Sequence, residues 1–171
     1  TSYNIFGQRY DASGTVDGAE FQVNATANDE QWVSTTTGLT DGGFVVTWTS
    51  NNQDGDGYGI YGQRYDAAGA AAGAEFQINT YTAGDQQVAD VTELPNGEFL
   101  VTWTSNGQDG DSDGVYGQRF DAVGGAVGAE FQINTFTNGQ QQTPSVAAMP
   151  DGKLVVTWSS DGQDTSEHGV Y

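Results

Sequence analysis

The sequence predicts an all-β protein of tandem four-stranded antiparallel repeats, each built like a β-propeller blade. Three observations carry this expectation. A 55-residue period runs from end to end, several short runs alternate apolar and polar residues, and no segment has the spacing of a useful helix. The period is read from near-identical strings. "IFGQRYDASG" at 5 returns as "IYGQRYDAAG" at 60 and "VYGQRFDAVG" at 115, while "FVVTWTS" at 44 returns as "FLVTWTS" at 99 and "LVVTWSS" at 154. "GAEFQVN" at 18 likewise recurs at 73 and 128 as "GAEFQIN". The 171 residues therefore form one repeat domain, 1–171, of three units at about 5–59, 60–114 and 115–169.

Within a unit four strands follow in order. Strand a, "QVADVTEL" in the second unit, ends at "PNG", a turn signal with counterparts "TDGG" and "MPDG". Strand b, "FVVTWTS", puts Phe44, Val46 and Trp48 on one face and Val45, Thr47 and Thr49 on the other. An acidic loop leads to strand c, "IYGQRYD", where Tyr61, Gln63 and Tyr65 alternate with Ile60, Gly62 and Arg64. A glycine-containing turn then reaches strand d, "EFQIN". The repeat tryptophans Trp48, Trp103 and Trp158 continue an apolar face and are expected in the core. The sequence enters at strand c and leaves at the start of another c. Three blades fall short of the four to eight of a closed toroid, so the expectation is a piece of a longer array or one completed by other copies. A threefold β-trefoil or β-prism is the alternative fold.

Composition narrows the partners. Four Lys plus Arg stand against 23 Asp plus Glu, a formal charge of -19, which repels nucleic acid and anionic membranes. No apolar run approaches the roughly 18 residues of a membrane span, so no membrane insertion is expected. With no cysteine, disulfides and thiolate zinc sites are excluded.

The b–c loops are the candidate metal sites. In the second unit Asp109, Asp111 and Asp113 followed by Gly114 read D-x-D-x-D-G, and in the first Asn52, Asp54 and Asp56 with Gly57 read N-x-D-x-D-G. Alternate carboxylates on a curving glycine-rich loop can converge on calcium, which takes six to eight oxygens. The third loop keeps Asp164 beside Thr165, Ser166, Glu167 and His168, a weaker set. The loop runs from strand to strand, so it is no EF-hand. The competing reading is that Asp and Gly simply make turns.

Arg9, Arg64 and Arg119 each precede an aspartate, Asp11, Asp66 or Asp121, by two residues on one strand face, so a structural ion pair is expected. Trp32 stands apart, for its counterparts are Gln87 and Gln142. It reads as a sugar-stacking platform or as filler at a unit junction. His168, the one histidine, has no Ser or Cys partner that the sequence singles out, and no catalytic residue is assigned.

The string "FVVTWTSNNQDGDGYGIYGQRYDAAG", followed by "GAEFQINTYTAGDQ", resembles the tandem repeats of large secreted or surface bacterial proteins that accompany hemolysin-type (RTX) calcium-binding repeats. The loop at 109–114 is similar to the calcium loops of FG-GAP and VCBS-type blades. These resemblances imply an extracellular or cell-surface module, calcium-bound, structural or adhesive, without enzyme activity. Extracellular modules hold calcium at roughly 10⁻⁴ to 10⁻³ M. Open strand edges add the expectation of association with other copies or repeats. A carbohydrate-binding lectin, with glycans as partners, is the alternative function, and a polysaccharide-active enzyme fragment the third.

Overall fold

The computed structural model describes residues 2–26, 29–163, 169 and 170. Thirteen strands and no helix form four separate antiparallel sheets among these residues. β1 (Phe6–Gly7) pairs with β2 (Phe21–Gln22) as strands c and d of a first sheet. The second sheet orders β3 (Gln31–Gly38), β4 (Phe44–Asn51), β5 (Tyr58–Tyr65) and β6 (Phe76–Gln77) as a, b, c and d. The third repeats this with β7 (Gln86–Glu93), β8 (Phe99–Asn106), β9 (Asp113–Phe120) and β10 (Ala126–Gln132). The last holds β11 (Gln141–Ala148), β12 (Leu154–Ser160) and β13 (Gly169–Val170). Each complete sheet is thus one a–b–c–d meander that straddles a boundary between two 55-residue units. The predicted blades are present, and the β-trefoil and β-prism alternative is excluded because successive a–b–c–d sheets stack face on face.

The alternation in strand b predicts one buried face, yet both faces of β4 and β8 are buried. The reason is stacking. Phe44, Val46 and Trp48 pack with Ile5, Val23, Phe21 and Tyr65 on the side of the first sheet. Val45, with Ile60 and Ile78, faces the other way onto Phe99, Val101 and Trp103 of the third sheet. Leu100 continues the pattern, packing with Val146 and Val156 of the last. Trp48 and Trp103 are fully buried, as expected of core residues, whereas Trp158 is half-buried.

Polar groups bind the sheets where the apolar contacts end. Strand a carries a register shift at the same place in every unit, between Trp32 and Thr35, Gln87 and Asp90, and Gln142 and Ser145. At each shift a β-branched residue has positive φ: Val33 at 47°, Val88 at 54° and Thr143 at 52°. This conformation is costly for such side chains. Its return is geometric, since the bulge turns an N–H out of its own ladder. The Val88 N–H donates to Thr49 Oγ1 at 3.3 Å and the Thr143 N–H to Thr104 Oγ1 at 3.0 Å, each across a sheet boundary. Asp90 Oδ2 similarly accepts from the Val146 N–H at 2.8 Å and the Ser145 hydroxyl at 3.1 Å. Glu130 accepts from the N–H and hydroxyl of Thr80 in the preceding unit.

The arginines pair, but not with the aspartates two residues on. Arg9 binds Asp17, Arg64 binds Asp41 and Arg119 binds Glu98. Asp11, Asp66 and Asp121 instead close the c–d turn, each accepting backbone N–H groups two and four residues ahead. A short carboxylate entering a turn meets those amides before it can meet a guanidinium on its own strand. The Ser13 hydroxyl, with backbone N–H groups, holds the Asp11 carboxyl below its ordinary value.

Replacing Asp90 by Ala leaves the Val146 N–H without its acceptor at the sheet boundary. The expected loss is about 1–3 kcal/mol, read as a lower urea midpoint, with Asp90→Asn losing less.

Candidate functional site

The acidic b–c loops do not gather their carboxylates around a point. Asn52 has φ of 60° and shapes the turn through its backbone, its N–H donating to the Gly57 carbonyl. Asp54 accepts from the Asp56 N–H and from Asn79 Nδ2, both at 3.4 Å. Asp56 turns to the Gly84 N–H at 3.1 Å, and Asp111, its counterpart, to the Gly139 N–H at 2.9 Å. Asp113 accepts from Asn106 Nδ2 and Gln142 Nε2. Among the described residues no group of three or more His, Cys, Asp or Glu side chains is placed to hold a metal. The physical reason is competition, because the d–a turn of the next unit offers backbone N–H groups within reach of the same oxygens. One exception stands out. Asp109 Oδ2 and Gln108 Oε1 are buried acceptors with no donor. Asp164 and His168 lie outside the described residues.

Beside these loops, at the end of the sheets where strands a and c begin, lie two clefts. The first, about 270 Å³, is lined by Tyr3, Glu30, Trp32 and Tyr58. Trp32 is 39% exposed, and its ring sits 5.5 Å from that of Tyr58, tilted by 58°. The second, about 370 Å³, is lined by Asp85, Gln87, Val88, Thr104, Asn106, Asp113, Gln142 and Thr143. Three of its residues are the repeat counterparts of the first cleft's: Asp85 for Glu30, Gln87 for Trp32 and Asp113 for Tyr58.

One position of the strand a bulge therefore carries Trp32, Gln87 and Gln142 to the same rim. Trp32 was legible as unrepeated; its neighbours Tyr3, Glu30 and Tyr58 were not singled out. The available signal was divergence. Against strands repeated almost letter for letter, positions 3, 58 and 113 read Tyr, Tyr and Asp, and positions 30, 85 and 140 read Glu, Asp and Gln. The framework is constant while the rim varies.

The fold has relatives among solved structures. An endo-arabinase from Bacteroides thetaiotaomicron VPI-5482 superposes with a TM-score of 0.58 at 12% identity, over 94% of this chain and 62% of that one. A thermostable family-43 glycoside hydrolase gives 0.57 at 12% identity, over 95% and 64%. An endo-1,4-beta-xylanase from Bacteroides thetaiotaomicron VPI-5482 gives 0.56 at 11% identity, over 99% and 72%. The chain thus spans less than two thirds of the length of the first two. No family model and no curated protein sequence matches it. The likeness establishes the propeller-like fold. It also corrects the expectation of a module without enzyme activity, to this extent: these three solved structures, which share its architecture, are enzymes.

Tyr61 and Tyr116, buried beneath the loops, have phenol pKa values pushed up to about 12, by burial first and then by Asp54 and Glu75, or by Asp109 and Glu130. Because the folded values are raised, the neutral phenols contribute stability that is full below about pH 10 and lost between about pH 10 and 12. Urea midpoints should fall across that window. The Tyr61→Phe/Tyr116→Phe variant should flatten the fall.

Proposed function

We propose that this chain is a carbohydrate-recognising module whose sugar platform is the cleft of Tyr3, Glu30, Trp32 and Tyr58. The observation that carries the reading is Trp32 itself: a large ring, 39% exposed, set beside Tyr58 in a cleft completed by Tyr3 and the carboxylate of Glu30. Tilted aromatics present apolar faces that match the C–H faces of a pyranose. A carboxylate beside them accepts hydroxyl hydrogens. Clefts combining aromatic walls with few placed polar groups are the usual form of small-molecule sites. Solved structures of the same fold are an endo-arabinase and an endo-1,4-beta-xylanase, which makes pentose polymers the first ligands to try.

Titration with arabinan and xylan oligosaccharides should change tryptophan fluorescence, because Trp48 and Trp103 are fully buried, Trp158 is half-buried and Trp32 is the most exposed of the four indoles. In Trp32→Ala the saturable change should vanish and affinity fall at least about tenfold, a stacking loss of 1–3 kcal/mol in the comparable case of bases on aromatic side chains. Binding that survives Trp32→Ala unchanged would place the sugar elsewhere. Reducing ends released during the titration would extend the reading to turnover.

A second reading, calcium in the second b–c loop, is favoured by the two donorless acceptors Asp109 Oδ2 and Gln108 Oε1. Asp109, Asp111 and Asp113 would supply hard oxygen ligands after a local turn of the loop. Thermal unfolding after EDTA, then with calcium or magnesium, is the test. A calcium-specific rise in Tm that disappears in Asp109→Ala/Asp111→Ala supports it. An equal response to both cations removes it.

A further inference from the structure

The second cleft has a different chemistry from the aromatic one, and we propose that it binds the protonated amine of an amino sugar. The proposal shares with the reading above the premise that this rim recognises sugars.

The lining comes first. Of about 370 Å³, the cleft falls within the size range of small-molecule sites, and its walls are Gln87, Thr104, Asn106 and Gln142 with the carboxylates of Asp85 and Asp113. Amides and a hydroxyl supply both donors and acceptors, the complement of a ligand dense in hydroxyl groups. Aromatic rings, the feature of the neighbouring cleft, are absent from this lining.

Charge decides what else the ligand carries. The hydrogen bonds to the two carboxylates come from neutral donors: Asp85 accepts from the Tyr58 N–H, and Asp113 from Asn106 Nδ2 and Gln142 Nε2. The chain has only four lysines and arginines. All four are spent in ion pairs elsewhere, Arg9 with Asp17, Arg64 with Asp41, Arg119 with Glu98 and Lys153 with Asp151. Two half-buried negative charges therefore share a cleft without a cationic side chain among its lining residues. In a chain at -19 such a cleft rejects uronic acids and sulfated sugars and favours a cation. An ammonium in the cleft gains charge-assisted hydrogen bonds by donating to a carboxylate.

Geometry keeps the carboxylates in place. Asp113 is gripped between Asn106 at the end of strand b and Gln142 of the next sheet, so its oxygens are fixed across the sheet boundary. The Thr143 N–H occupies an acceptor position of Thr104 Oγ1, which directs the hydroxyl hydrogen elsewhere.

The experiment is an amide-resolved NMR titration of the chain with short glucosamine oligosaccharides, their N-acetylated forms and glucose oligosaccharides, below the amine pKa and at two salt concentrations. Expected are shifts centred on Gln87, Thr104, Asn106 and Gln142, binding at least about tenfold tighter for the free amine than for the acetylated form, and weakening by salt. Asp113→Asn and Asp85→Asn, each with an unchanged spectrum away from the cleft, should each lose about tenfold or more. Trp32→Ala should keep this binding while losing that of the pentose oligosaccharides, so failure of either site is seen separately. Equal binding of acetylated and free forms, amine binding that survives both carboxylate variants, or calcium giving the same shifts and displacing the sugar would overturn the proposal.

Discussion

The fold depends on one packing condition: strand b of each complete sheet is buried on both of its faces. Val45 and Val46 are adjacent in β4, point to opposite sides, and are both buried, one against the following sheet and one against the preceding. A lone four-stranded sheet of this sequence would leave one of those faces in water, at about 25 cal/mol for each Å² of apolar area left uncovered. Stability therefore accrues at boundaries between units as much as within them, as in other stacked-repeat proteins.

Burial on both faces creates a second requirement, since polar groups at the boundary must find partners across it. The strand a bulge meets it. By placing Val33, Val88 and Thr143 at positive φ, it gives up local comfort, and for Val88 and Thr143 it gains an N–H aimed at the neighbouring sheet. The residue before each is pushed to the rim. Thus the same distortion that joins sheets also presents Trp32, Gln87 and Gln142 where ligands can reach them, and structure and recognition share one backbone device. The rim residues are free to differ because neither the core nor the boundary hydrogen bonds use their side chains in common.

Much of the fold was legible in the sequence because its signals are local. A 55-residue period, alternation in "FVVTWTS" and Asp/Asn-Gly turns lead to a, b, c and d in the observed order. Strand d differs between sheets: β2 and β6 are confined to two residues each where "EFQIN" suggested more, whereas β10 runs over Ala126–Gln132. The site was harder to read. Its residues come from the starts of strands a and c and, for Tyr3 and Trp32, from different sheets, so no contiguous motif announces them. Asp109, Asp111 and Asp113 present the opposite case: a contiguous motif whose side chains take separate partners, the Asp111 N–H, the Gly139 N–H and Gln142 Nε2.

Near-identity of the repeats has a further consequence for how the chain folds. Strand "FVVTWTS" could pair as well with "VYGQRF" of the next unit as with its own "IYGQRY", since the two partners differ at only two places. Energies alone would not choose between them. The choice falls to chain entropy: β4 and β5 are separated by residues 52–57 only, and closing a short loop costs less and happens sooner than bridging to a unit 55 residues on. The tight acidic turn thereby acts as a sorting device during synthesis, committing each pair of strands before its double has emerged.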